Sequence, residues 1–390
     1  MEMDRTYLDW NATAPLRPEA RAAVAAALEL AGNPSSVHAE GRAARRLVEE
    51  AREKVAALAG ADPALVTFTS GGTEANMLAL TPDLQSGEKK GVCTRLLVSA
   101  IEHVSVRAGG RFAPEAVEEI AVTPKGVVDL NSLATRLAAL KGERMLVSVM
   151  LANNETGVIQ PISDIAAIVH EAGALLHVDA VQAAGRISCD IDALGTDLLT
   201  LSAHKLGGPK GAGALIRGND RLHLPALVKG GGQERGLRAG TENVAAIAGF
   251  GAAVEAAKRE LKADAARMAS LRDRLEAGLK AATPQVVIFG AEAERVPNTT
   301  LFALPGAKAE TAVIALDLEG FAVSSGAACS SGKVQSSHVL TAMGAAPELA
   351  RGGIRVSLGW NTTEFDIDGF LNAWIKVARA LLKETRGMAA

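Results

Sequence analysis

The stretch Leu198-Leu199-Thr200-Leu201-Ser202-Ala203-His204-Lys205-Leu206-Gly207-Gly208-Pro209-Lys210-Gly211 decides how the chain is read. Its apolar first half has the length and composition of a buried strand, and its Gly/Pro-rich second half is a loop. The junction delivers Ser202, His204 and Lys205 to a strand end, where a ligand can reach an amine and two hydrogen-bonding side chains. A lysine so presented is suited to imine formation, although a lysine beside a glycine loop is more commonly just a solvated charge.

Two further stretches give this lysine its company. Ala174-Leu175-Leu176-His177-Val178-Asp179-Ala180-Val181-Gln182 is a second short apolar run, ending in an acid and an amide. It lies one crossover's length upstream of Lys205, so both residues can sit at the carboxyl edge of one parallel sheet, where open α/β folds bind ligands. Leu65-Val66-Thr67-Phe68-Thr69-Ser70-Gly71-Gly72-Thr73-Glu74-Ala75-Asn76 reads as strand, glycine turn and helix start. Thr73 and the free backbone N–H groups of such a helix terminus form an anion site. An amine for an imine, an acid that keeps a pyridine nitrogen protonated and a helix terminus for a phosphate match pyridoxal phosphate better than other common cofactors.

Composition bounds what surrounds this site. At 390 residues and 48% hydrophobic content, the chain can bury a substantial core in about two or three domains. Aromatics are only 3%, so that core must be built mainly from Ala, Val, Leu and Ile. A formal charge of −3 with no basic arm gives no electrostatic footprint for nucleic acid, and direct nucleic-acid binding is not expected. Every apolar run is broken short of a membrane span, and Met1–Thr6 leads into no signal-type apolar segment, so the expected location is cytoplasmic, with no membrane partner. Cys93, Cys189 and Cys329 are widely spaced and odd in number, which fits free thiols rather than a disulfide framework or a zinc knuckle.

Strand and helix patterns alternate from Val66 to about Arg217, as in a wound, mainly parallel sheet. Glu242–Leu279 has helical spacing and suits a connecting helix, and from about Val286 the order becomes α+β. The expectation is an α/β fold with a large cofactor-binding domain, 15–260. A smaller domain, formed by 1–14 and 261–390, carries a cysteine loop at about 322–336.

The set Gly71-Gly72-Thr73-Glu74, Glu102-His103, Asn153-Asn154-Glu155-Thr156-Gly157, Asp179-Ala180-Val181-Gln182, Ser202-Ala203-His204-Lys205, Arg238-Ala239-Gly240-Thr241 and Ser325-Gly326-Ala327-Ala328-Cys329-Ser330-Ser331-Gly332 resembles the cysteine desulfurases of the NifS/IscS type, in the family's order over nearly the whole chain. The resemblance implies the fold-type I architecture of pyridoxal phosphate enzymes and the release of sulfur from L-cysteine, leaving alanine and a persulfide on Cys329. It makes Lys205 the imine lysine, whose neutral amine is favoured by burial and a nearby cationic ring. Asp179 pairs with the ring nitrogen, Gln182 and Asn154 with the ring hydroxyl, and Gly72, Thr73, Ser202 and His204 with the phosphate. Thr241 joins them if a second subunit reaches across, which implies a homodimer. His103 stacks on the ring and serves as an acid/base group. Arg355, with its planar guanidinium, clamps the substrate carboxylate, and Asn33 assists nearby.

Each of these residues also has a plainer reading. The amides and hydroxyls suit turns and caps, Arg355 a salt bridge, and His177 hydrogen bonding inside a strand. Cys93 and Cys189 read as small buried hydrophobes, whereas Cys329, among serines, glycines and alanines, reads as an exposed nucleophile. No intrinsic metal site is expected, although the resemblance allows Cys329 to ligate an iron–sulfur cluster transiently with a scaffold partner. The implied partner is a sulfur-acceptor protein, such as an iron–sulfur scaffold. The chain departs from the family at Trp10, at Ala14 and at Lys333-Val334-Gln335-Ser336, and ends soon after Lys383. An aminotransferase or a selenocysteine lyase would share Lys205 and Asp179 without needing a thiol on a loop, and a non-catalytic scaffold would not need Lys205 at all.

Overall fold

The computed structural model describes residues 5–87, 91–326 and 336–387, with side chains through residue 382. The alternating region folds into one seven-stranded sheet of β1 (Val66–Thr69), β2 (Arg95–Ser99), β3 (Val117–Ile120), β4 (Met145–Met150), β5 (Leu175–Asp179), β6 (Leu198–Ser202) and β7 (Gly213–Arg217), in the order β1-β7-β6-β5-β4-β2-β3. The strands β2 to β6 pair in parallel, while β7 runs antiparallel to both β6 and β1. β4 and β6 are buried along their whole length, as required of strands covered on both faces.

Helices α1 (Pro18–Leu28) and α2 (Ala39–Ala59) lie against the long helix α4 (Val244–Ala282), and the shorter α3 (Gly72–Ala79) follows β1. The expected connecting helix is thus present. Its buried residues face the large sheet's core as far as Val254 and a second core from Met268 onward. That second core covers an antiparallel sheet of β8 (Val287–Phe289), β9 (Thr299–Ala303), β10 (Ser324–Ser325) and β11 (Ile354–Ser357), in the order β8-β9-β11-β10. Most of the few aromatics meet one another: Phe302 lies edge-on to Trp374 of the C-terminal helix at 5.0 Å between centroids.

Two features set up the site. Residues 6–14 begin beside the small sheet, where Thr6-Tyr7 pairs with Phe321-Ala322, and end against the large one, where Ala14 N–H donates to His204 O at 2.8 Å. The turn after β1 lies so close to β7 that a Cβ on Gly213 would stand 2.5 Å from the Gly71 carbonyl carbon, so only glycine serves there. Among the described residues no helix is long and apolar enough to cross a membrane.

Candidate active site

Because β1 runs in the same direction as β2 to β6, Thr69, Ser99, Met150, Asp179 and Ser202 all terminate strands at one edge of the sheet. The residues just past those ends converge on a cavity of about 380 Å³, within the size range of small-molecule sites. Lys205 closes a single 3-10 turn after β6, and its Nζ donates to the carbonyls of Asn11 at 2.6 Å and Ala12 at 2.8 Å. Asp179 is buried at the tip of β5, its Oδ1 accepting from Val181 N at 3.0 Å and its Oδ2 from Asn76 Nδ2 at 2.9 Å. Gln182, one turn further on, donates to Asn11 O at 3.0 Å and accepts from Arg186.

Gly72 and Thr73 open α3 on the same cavity, beside Ser202 and His204, and a neighbouring cleft adds Ser70 and Lys210. A helix N-terminus with a lysine beside it attracts an anion. His204 bonds through Nδ1 to Thr13 Oγ1 at 3.1 Å. Burial, helped by the charges of Lys205 and Lys210, pushes its pKa down to about 4.

His103 forms another wall. Its Nδ1 caps the helix Val104–Arg107, accepting from Ser105 N at 3.2 Å, and burial holds its pKa below the usual value. Arg355, on β11, spans the two halves: Nη2 pairs with Asp9 at 2.8 Å and Nη1 donates to Asn154 O at 2.9 Å. It is therefore both a salt-bridged arginine and a cavity-lining one. Three buried polar atoms on lining residues, Arg355 Nε, Asn154 Oδ1 and Asn76 Oδ1, find no hydrogen-bond partner among the described residues. Buried polar groups are rarely left so, and their clustering on one cavity suits a polar ligand that completes them.

Nearly all the sequence-derived residues thus meet in one place, with three exceptions. Asn33 is exposed, its Oδ1 taken by Ser35 N at 2.9 Å in a local turn, and it does not line the cavity. Thr241, expected to reach the cavity of a second subunit, is exposed on the loop before α4 of its own chain. Cys329 lies outside the described residues. The plainer readings given for His177, Cys93 and Cys189 agree with their surroundings, and His38 too has a structural place. His38 caps α2, His177 bonds to Ser148 and Thr200, and Cys93 and Cys189 are buried, burial pushing the Cys189 thiol up to about 12. Trp10 packs edge-on to Trp360 at 4.5 Å, away from the main cavity. Among the described residues no cluster of His, Cys, Asp or Glu could hold a metal ion.

Sequence reasoning missed Asn11, Asn76, Ser105 and Glu155. Glu155 is buried, and its Oε2 accepts from Ser337 Oγ at 2.6 Å; a Cβ on Gly326 would stand 2.7 Å from that same oxygen. Burial pushes its pKa up to about 7. Asn153-Asn154-Glu155 therefore connects the cavity wall to both ends of the segment that bears Cys329, a link hidden in a motif read only for Asn154.

The model of the family described as aminotransferase class-V matches residues 6–370. The cysteine desulfurase IscS of Dictyoglomus turgidum is 41% identical over 96% of this chain and 95% of its own length. A cysteine desulfurase of Cereibacter sphaeroides is 43% identical over 95% of this chain and 94% of its own. Among solved structures, a NifS-like protein from Rickettsia africae superposes with a TM-score of 0.87 at 37% identity, covering 96% of this chain and 99% of that one.

Proposed function

Because the chain belongs to the cysteine desulfurases of the class-V aminotransferase family, we propose that it takes sulfur from L-cysteine, using pyridoxal phosphate, and holds it as a persulfide on Cys329 for delivery to an acceptor protein. The observation that carries this reading is the convergence of Lys205, Asp179, His103 and the α3 terminus on one cavity where three buried polar atoms find no partner among the described residues.

The residues present suit the cofactor. Lys205 offers the amine for covalent attachment, Asp179 a carboxylate for the ring nitrogen, Asn154 and Gln182 amides for the ring hydroxyl, and Gly72, Thr73, Ser202 and His204 donors for the phosphate. When bound, pyridoxal phosphate supplies an electron sink that stabilises negative charge next to the substrate carboxylate. The chain's own groups do the rest. Arg355 orients that carboxylate, His103 moves protons between substrate carbon and cavity, and the Asn11 and Ala12 carbonyls accept from the Lys205 amine when it is not attached to the cofactor. The Cys329 thiolate then attacks the substrate sulfur. The S–S bond forms as the C–S bond breaks, its electron pair passes to carbon, and a proton completes alanine, so no external oxidant or reductant is required. We also place the boundary between the large and small halves within α4, near residue 260, where its buried face changes from one core to the other.

Mass spectrometry of the protein after incubation with L-cysteine tests the proposal. One added sulfur atom on the peptide holding Cys329 is expected, with alanine as the co-product. In Cys329→Ser neither should accumulate, because a hydroxyl stays protonated near neutral pH and is a poor nucleophile toward sulfur. Alanine and sulfide released at the wild-type rate by Cys329→Ser would show that sulfur does not pass through this residue.

A further inference from the structure

Behind His103 runs a chain of hydrogen bonds whose donor order can be worked out. Asn76 Nδ2 lies 2.9 Å from Asp179 Oδ2 and 3.0 Å from Ser105 Oγ, and Ser105 Oγ lies 2.8 Å from His103 Nδ1. A carboxylate oxygen only accepts, so the Asn76 atom facing it must be the amide nitrogen; turning the amide round would set two acceptors against each other. That nitrogen has two hydrogens, one for Asp179 and one for Ser105. The Ser105 hydroxyl accepts from Asn76 and so has its own hydrogen to give to His103 Nδ1. The same nitrogen also faces the Ser105 backbone N–H at 3.2 Å, which can only donate. Two donors aimed at Nδ1 leave no place for a proton there, and the ring hydrogen must sit on Nε2.

We propose that Asn76 and Ser105 are positioning residues that lock His103 into its Nε2–H tautomer, so that the carboxylate at the tip of β5 dictates, through two side chains, which proton the histidine presents to the cavity. This rests on the functional reading above, in which His103 is the acid/base group. It adds that the resting imidazole enters the reaction as a hydrogen-bond donor from Nε2, and that taking a proton at Nδ1 requires two hydrogen bonds to break. The depressed pKa of His103, caused first by burial, points the same way; the charges that bear on the ring are Asp179, Lys205 and the imidazole of His338, with Glu102 buried next to it in sequence.

The test is long-range proton–nitrogen NMR on the cofactor-loaded protein labelled with nitrogen-15 at histidine, the His103 signals being identified by their loss in His103→Gln. Wild type should show His103 with Nε2 protonated and Nδ1 bare throughout the neutral range. Ser105→Ala, which leaves only the backbone N–H on Nδ1, and Asn76→Ala, which frees the Ser105 hydroxyl to turn, should each raise the share of the Nδ1–H tautomer above wild type and move the His103 titration to higher pH, and Ser105→Thr, which keeps the hydroxyl, should restore the wild-type spectrum. The acid limb of the pH profile for alanine formation should move with the titration in Ser105→Ala, whereas a merely structural loss would lower the profile without moving it. An Nδ1–H tautomer in wild type, or unchanged tautomer and titration in both alanine variants, overturns the proposal. Alanine is measured on the same samples. Wild type with the Nε2–H tautomer but no alanine overturns the functional reading and leaves this proposal standing, and alanine with the Nδ1–H tautomer does the reverse.

Discussion

Among the described residues two imidazoles bond to a serine hydroxyl, one buried and one half-buried, and they differ at their second nitrogen. His177, in the middle of β5, bonds through Nδ1 to Ser148 on β4 at 2.8 Å and through Nε2 to Thr200 on β6 at 2.9 Å, so one neutral ring ties three central strands together. His103, past the end of β2, has Nδ1 engaged by Ser105, and among the described residues nothing bonds its Nε2. The sheet's interior is closed with every polar atom of that cluster paired, while two residues further along β5 the edge holds orphaned amide and guanidinium atoms. A buried unpaired group costs on the order of 1–3 kcal/mol, so the edge gives up stability that the interior keeps. The contrast teaches that chemistry is found here where hydrogen bonding has been left incomplete, rather than where ionisable residues are merely buried.

The largest effect that would break this contrast is at Lys205. In Lys205→Ala the cofactor should bind weakly and without a covalent bond, because ring and phosphate contacts remain, and alanine formation should be lost. The unfolding midpoint of the cofactor-free protein should change little, since the bonds to the Asn11 and Ala12 carbonyls lie at a part-exposed site. Turnover near the wild-type rate would show that the edge is not the reactive part of the sheet.

His103→Ala should keep the cofactor's colour while turnover falls roughly 10²-fold or more, the usual scale for losing a positioned acid/base group. Thermal unfolding should stay close to wild type apart from the loss of one cap, worth about 1 kcal/mol. An unchanged rate across neutral pH would place His103 with His177 among the structural histidines.

How much of this could be read in advance depended on whether a role needs a residue type or only a backbone position. Lys205, Asp179, His103 and Arg355 stand out because few side chains can do what they do, and the apolar runs before them put them at strand ends. Asn11 could not be found that way, since what it gives Lys205 is a carbonyl oxygen that any residue carries. Asn76 sits one helical turn inside α3, where an asparagine looks like an ordinary helix-start residue until the fold brings Asp179 against it. Gly230-Gly231-Gly232-Gln233-Glu234-Arg235 has glycines that mark a turn but do not reveal its purpose. Its work is mechanical: Glu234, buried at positive φ, pairs with Arg52 at 2.7 Å and accepts from Phe68 N at 2.8 Å, pinning the edge strand β1.

The smallest effect on turnover belongs to His177, and there the change should appear in stability instead. Burial pushes its pKa down to about 4, against about 6.5 in an unfolded chain. Above the unfolded value the ring is neutral in both states and adds no pH dependence. As pH falls from about 6.5 towards 4, the unfolded chain takes up a proton that the native ring refuses, so stability declines by up to about 3 kcal/mol before levelling off. His204, also depressed to about 4, acts in the same direction. Glu155, raised to about 7, acts oppositely, stabilising the native state as pH falls from 7 to the ordinary carboxyl range. The wild-type slope is therefore a sum of opposing parts, and the useful quantity is the difference between wild type and His177→Gln. Urea unfolding followed from pH 7 to pH 4 should find the variant less stable at pH 7, having lost one or both bonds to Ser148 and Thr200, yet closing that gap as the solution is acidified. Turnover at neutral pH should stay within about twofold of wild type, because the substituted ring lies among strands and not on the cavity. Stability curves that run parallel over the whole range would mean that His177 takes up its proton in the folded state, and the interior of the sheet would not be the closed counterpart of its edge.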